Sequence, residues 1–342
     1  MQRRTLFLLG GGAVLTVGGA LLLTPSALHD EVAPSAANLA FPGLAARLTE
    51  AARIEIRKHD GSLTLLRQDE AWVLPERGNY PVRPERVREL LVGLTELRLV
   101  EARTADPGQH DRLGVDDPNR PGSTALLLRV LAAGGQPIAE LVIGRRRVRT
   151  QGNVPESAYI RRPSESQAWL AEGRLPADAD PQLWVDRDIA NIAQDRIRRV
   201  TIRREGEPEL VLARGEGPEA KLRLEQPVDP RPLDDVSLDE VARGFEYLTF
   251  LEVKPAAEAP GRPLGASRFE LADGMMVTVL PAHDGETLWI RLEAEGPESA
   301  SLQARWQAWA YQVGVWKEKA FIPRLEDLLP QAAPSPPPTP GR

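Results

Sequence analysis

The chain has no cysteine among its 342 residues. That excludes disulfides, thiolate zinc sites, iron–sulfur clusters, a cysteine nucleophile and a lipid-modified cysteine. Histidine is nearly as scarce: His29, His59, His110 and His283 are the whole set, and none stands three or four residues from another. Ligand pairs on one helix face need that spacing, so the sequence implies no metal and no other cofactor. The phosphate-cradling glycine loops of nucleotide enzymes and the GxSxG turn of serine hydrolases are also missing. Nor is there an excess of positive charge: 43 Lys and Arg against 49 Asp and Glu leave a net charge of −6. A generic nucleic-acid partner is therefore not expected. Proline, in contrast, is plentiful, with 31 residues against a usual share of about 5%. Such a composition favours short strands and stiff loops over long helices. At roughly 150 residues per domain, the length suggests about two domains.

The first clear pattern is apolar. Thr5 to Leu23 is a run of 19 uncharged residues, preceded by Arg3 and Arg4 and followed by Asp30 and Glu31. About 20 residues at 1.5 Å rise cross the hydrocarbon core, so residues 1–27 are expected to form a membrane anchor. The arginines place its N-terminus in the cytoplasm and the body beyond the membrane. A cleaved signal peptide is the rival reading; its apolar region is usually only about 7–15 residues, and either way the body is exported. Gly12, Thr16 and Ala20 form a stripe of small side chains, a candidate packing face for another helix. Residues 28–48, rich in Ala and Pro near their start, read as a linker.

The body shows an internal repeat. Arg53-Ile54-Glu55-Ile56-Arg57 alternates with period two, a turn at His59-Asp60-Gly61-Ser62 follows, and Leu63 to Arg67 returns as the second strand of a hairpin. Pro84 opens a helix with Val87, Leu90, Leu91, Leu94 and Leu97 on one stripe. The programme recurs about 150 residues later: Arg199 to Arg203 matches the first strand, and Leu238, Val241, Phe245 and Leu248 match the helix stripe. Ser237-Leu238-Asp239-Glu240 reads as the capping box of that second helix. Antiparallel strands follow in each copy, with Gly134-Gly135 and Asp273-Gly274 as turns. The expected fold is therefore α+β: repeat modules over residues 49–194 and 195–329, each mainly antiparallel sheet with packed helices, preceded by one N-terminal transmembrane helix. One helix is expected from about Glu298 to Val313, and residues 330–342 read as an extended, unpacked proline-rich tail.

Several segments together carry a family resemblance. The RIEI strand, Trp72-Val73-Leu74, the leucine-striped helix, Arg112-Leu113-Gly114-Val115-Asp116-Asp117-Pro118, Tyr159-Ile160-Arg161-Arg162 and Leu183-Trp184-Val185-Asp186-Arg187 resemble the bacterial domain-of-unknown-function 4340 family. The resemblance implies one N-terminal span, a duplicated exported body and a neighbourhood beside gliding-motility-type ABC transporter components. It brings no catalytic residues, and it places the protein at the bacterial inner membrane with its body in the periplasm or outside.

The remaining constellations are weighed residue by residue. The histidines read as solvated loop residues. Asp116 and Asp117, and the second acidic run Asp178, Asp180, Asp186 and Asp188, read as turn and cap acids; a hydrolase would have to gather them around a cleft. Arg145, Arg146, Arg147 and Arg149 form the densest basic run, a candidate surface for anionic lipid or an acidic partner. Trp306, Trp309 and Trp316 crowd into eleven residues, with Leu302, Trp306, Trp309 and Val313 on one helical face. Core packing is the expected role; exposed rings would instead offer a partner or ligand surface. The reading for function is a non-catalytic, membrane-anchored extracytoplasmic accessory or scaffold subunit whose partner is an ABC-type permease or another envelope protein. A glycan- or lipid-binding module and a carboxylate-dependent hydrolase are the alternatives.

Overall fold

Alternating side chains build the first hairpin. In β1 (Ala51–Lys58) Ile54 and Ile56 are buried while Arg53 and Arg57 face solvent, and β2 (Gly61–Gln68) buries Leu63 and Leu65 opposite them. The turn is tighter than the sequence suggests, with only His59 and Asp60 between the strands because Lys58 pairs with Gly61. The computed structural model describes residues 38–147, 155–217 and 220–330. Within them the hairpin grows into a sheet of nine strands through β3 (Ala71–Leu74), β4 (Tyr80–Pro81), β5 (Arg98–Ala102), β6 (Leu126–Ala132), β7 (Pro137–Arg147), β8 (Ser157–Arg161) and β9 (Ala168–Glu172). Their order is β4-β3-β2-β1-β6-β7-β8-β9-β5. Every pairing is antiparallel.

Helix α1 (Pro84–Glu96) turns Val87, Leu90, Gly93 and Leu94 inward, as its stripe requires. Pro84 at its first turn lacks only an amide that would have no helical partner there. Gly93 faces the Arg174 carbonyl so closely that a Cβ would strike the oxygen. That contact fixes how near the helix lies to the chain beyond β9.

A second large sheet follows. Its strands are β11 (Ile197–Arg204), β12 (Leu210–Arg214), β13 (Leu222–Gln226), β15 (Glu252–Pro255), β16 (Arg262–Pro263), β17 (Gly265–Leu271), β18 (Met276–Asp284), β19 (Thr287–Glu295) and β20 (Trp309–Val313). They run β13-β12-β11-β17-β18-β19-β20-β15, with β16 beside β18. Both sheets thus place the leading hairpin strand, β1 or β11, between its hairpin partner and a later strand, and end on a strand from the segment beyond a helix, β5 or β15. In the second half that helix is α2 (Asp235–Ala242).

The two halves share one hydrophobic core, which runs from Ile54 and Leu90 through Trp184 to Phe245, Phe269 and Trp306. Tyr80 stands where they meet, edge-on to Phe250 at 5.4 Å and to Trp309 at 4.8 Å, and Phe250 lies 5.6 Å from Tyr311. Burial pushes the Tyr80 phenol up to about 12 and that of Tyr311 higher still, so both stay neutral. A strap over residues 178–190 ties the halves together. The Trp184 carbonyl accepts the Arg83 amide at 2.8 Å, and the Arg187 carbonyl accepts the Phe250 amide at 3.2 Å. β10 (Asp188–Ala190) in the strap pairs with β14 (Leu248–Thr249).

This architecture corrects the α+β expectation. Of the described residues 40% are strand against 23% helix, and they form mostly antiparallel sheet with short helices. The helix expected from Glu298 to Val313 is a clear case: α3 (Ala300–Trp306) stops early, and the residues after it form β20. Two neighbours, β15 and β19, offer ladder partners to that segment, and strand geometry buries Ala310, Tyr311 and Val313 together. Among the described residues no helix is long and apolar enough to cross a membrane. The run Thr5 to Leu23 with Gly12, Thr16 and Ala20, and the tail 331–342, lie outside the described residues. The last part of the expected linker is packed: Leu39 bridges to Arg98, and Ala40 and Leu44 are buried.

Candidate interaction surface

An open groove of about 910 Å³ lies between α2 and α4 (Lys317–Phe321). Helix α2 begins three residues earlier than the sequence suggests. Asp234 is its cap, taking the Ser237 amide at 2.9 Å and the Ser237 hydroxyl at 2.8 Å on one carboxylate oxygen, where Ser237 was expected to cap. These bonds hold the Asp234 carboxyl below its ordinary range, the Ser237 hydroxyl acting most strongly. With that start, Leu238, Val241 and Ala242 are buried, while Val236 is 66% exposed and Asp239 and Glu240 line the groove.

The facing wall is α4 and the residue before it. Ala320 and Phe321 are buried and Trp316 is 71% exposed, the most open of the tryptophans. Its indole folds back over Gly314, where any Cβ would run into the ring. Lys317 donates to the Gly244 carbonyl at 2.7 Å. Burial lowers its pKa against the opposing pull of Glu246 and Glu240. Pro330, the last residue described before the tail, also lines the groove.

A polar network fixes α4 from below. Glu318 accepts from Arg204 at 2.8 Å and from His283 Nε2 at 2.7 Å, and Arg204, 8% exposed, donates as well to the Ile322 carbonyl at 2.7 Å. Burial alone would raise the Glu318 pKa, but the bonds from Arg204 and His283 prevail and hold it below the ordinary value. Sequence reasoning missed this trio. Its members lie on β11, β18 and α4, with no local spacing to connect them.

The sequence-derived candidates disperse. Trp306 is buried and donates to the Ile189 carbonyl at 3.0 Å, Trp309 packs on Tyr80 at the junction, and only Trp316 faces the groove. The basic run is split by a shift in register between Ile143 and Arg146, a local bulge in β7. Arg146 donates to the Ala177 carbonyl at 2.7 Å, Arg145 lies against Gly114, and Arg147 pairs with Ser157; Arg149 lies outside the described residues.

Two histidines depart from the solvated-loop expectation: His110 is buried with Nε2 2.8 Å from the Ser166 carbonyl, and His283 holds Glu318. His59 is exposed beside Asp60, and His29 lies outside the described residues. The acids serve turns and the strap. Asp116 takes Arg120 and Ser123, Asp117 takes Asn119, Asp178 takes the Asp180 amide, and Asp180 takes the Gln182 amide. Asp186 takes Arg305 at 3.0 Å and the Asp188 amide at 3.1 Å, and the Asp188 carbonyl also receives Arg305. Among the described residues no three metal-ligating side chains come together.

The family model described as Domain of unknown function (DUF4340) matches residues 72–268, more than half of the chain. The chain belongs to the DUF4340 family. Its matched stretch begins at Trp72 in β3, contains the strap and α2, and ends at Arg268 in β17. In this DUF4340 protein the Trp316 wall of the groove therefore lies beyond the family match. No curated protein and no solved structure matches the chain.

Proposed function

We propose that this DUF4340 protein is a non-catalytic, extracytoplasmic accessory or scaffold subunit that works by holding another envelope protein, an ABC-type transporter permease of the gliding-motility kind. The observation that carries the reading is the groove: a wide, open concavity with one tryptophan laid bare and both signs of charge on its rim. Exposed Trp beside a polar rim is the composition of protein contact sites. The uncharged run from Thr5 to Leu23 after two arginines supports delivery of the body across the membrane.

The test is purification of the full chain in mild detergent after crosslinking, with identification of what comes along. A permease recovered with wild type and lost with Trp316→Ala supports the proposal; recovery of no envelope protein refutes it. Delivery is checked separately: protease added to spheroplasts should digest a tag fused behind Arg342. A glycan-binding role is favoured by the same indole, which could stack on a sugar ring, and saturable binding of envelope polysaccharide would decide for it.

A further inference from the structure

We propose that the groove beside Trp316 is the docking site of the chain's own proline-rich C-terminal segment, residues 331–342, bound in cis. The segment starts at the rim, because Pro330 already lines the groove. Its composition suits what it would meet. Pro334, Pro337 and Pro340 recur every third residue, which is the period of a polyproline II helix, so in that conformation all three share one edge. Prolines have little backbone freedom left to lose on docking, and such edges seat in aromatic-lined grooves.

The walls offer the matching features. Trp316 and Val236 supply apolar surface at 71% and 66% exposure. Arg342 carries the only charged side chain of the segment, and Asp239 and Glu240 wait on α2. Arg243, Lys317 and Lys319 also line the groove. Among these groups the two α2 acids are of opposite charge to the arginine, and Lys317 spends one of its donors on the Gly244 carbonyl. Reach is ample: at about 3.1 Å per residue twelve residues extend about 37 Å, while an eight-residue helix such as α2 is about 12 Å long. Tethering raises the local concentration to roughly millimolar, so a contact too weak to hold a free peptide suffices.

This inference shares its groove with the proposed partner site but needs no external partner. The segment would act as a built-in competitor, displaced when a tighter ligand arrives.

The absence of cysteine makes the test clean. Lys319→Cys with Ser335→Cys in the full chain introduces the only two thiols, which a short bismaleimide can join. The expected result is an internal crosslink whose yield is independent of protein concentration. It should fall at least threefold with Trp316→Ala, and equally with Pro334, Pro337 and Pro340 all changed to Ser. Yields unmoved by both changes, while urea midpoints show the variants folded, overturn the proposal. A crosslinked dimer in place of the internal product also overturns it, by assigning the groove to a second copy. Co-purification separates the two readings: a crosslink without a partner leaves this inference standing alone, and a partner without the crosslink leaves only the other.

Discussion

At the scale of single residues, Glu318 holds the most telling position. Two cationic or hydrogen-bonding partners from distant strands converge on one carboxylate at the base of α4, and Arg204 has almost no solvent to fall back on. Removing the charge with Glu318→Gln should destabilise the protein by about 1–2 kcal/mol, below the cost for a fully buried pair because the carboxylate is partly exposed. The sign of its pH dependence follows from a folded-state pKa below the ordinary one. The stabilisation is complete above the usual carboxylate range and is lost as pH falls through that range toward the lowered value. Urea midpoints of wild type and variant should therefore differ at neutral pH and converge in acid. A gap that stays constant on acidification would show that the charge is not what holds the network.

At the scale of elements, the hairpins were written plainly in the chain, and the ends of helices were not. Strict alternation in Arg53 to Arg57 admits one burial pattern, and β1 follows it. Ser237 looked like a cap because an acid stands three residues on, yet Asp234 sits one turn earlier and wins with a charged acceptor. Asp234→Ala should therefore lower the urea midpoint more than Ser237→Ala, and the reverse order would make Ser237 the cap. The segment from Glu298 to Val313 misled for another reason. Its apolar spacing fits a helix through Val313, but the open edges of β15 and β19 capture the backbone from Trp309 on. Of the candidate surface, Trp316 was legible as a tryptophan in a cluster. Its separation from Trp306 and Trp309 was not, because only the break between α3 and β20 sends the three rings to different places.

At the scale of the whole molecule, the question is whether two sheets behave as one body. Tyr80 packs against rings of the second half, and the strap bonds to both halves. Tyr80→Ala should cost about 3 kcal/mol, in the range of large aromatic truncations in a core. Wild type should unfold in a single transition, with fluorescence and circular dichroism coinciding. If the variant instead splits into two separated transitions, the junction is the source of that unity; a wild type already biphasic would contradict the continuous core.

That continuity also limits how the gene can be cut. The chain reads as if it had a seam near residue 194, but severing it there would leave Tyr80 on one fragment and Phe250, Trp309 and Tyr311 on the other, each facing water with its greasy side. Such pieces, made separately, would clump or seek each other out, so the seam that the sequence suggests is not a physical boundary.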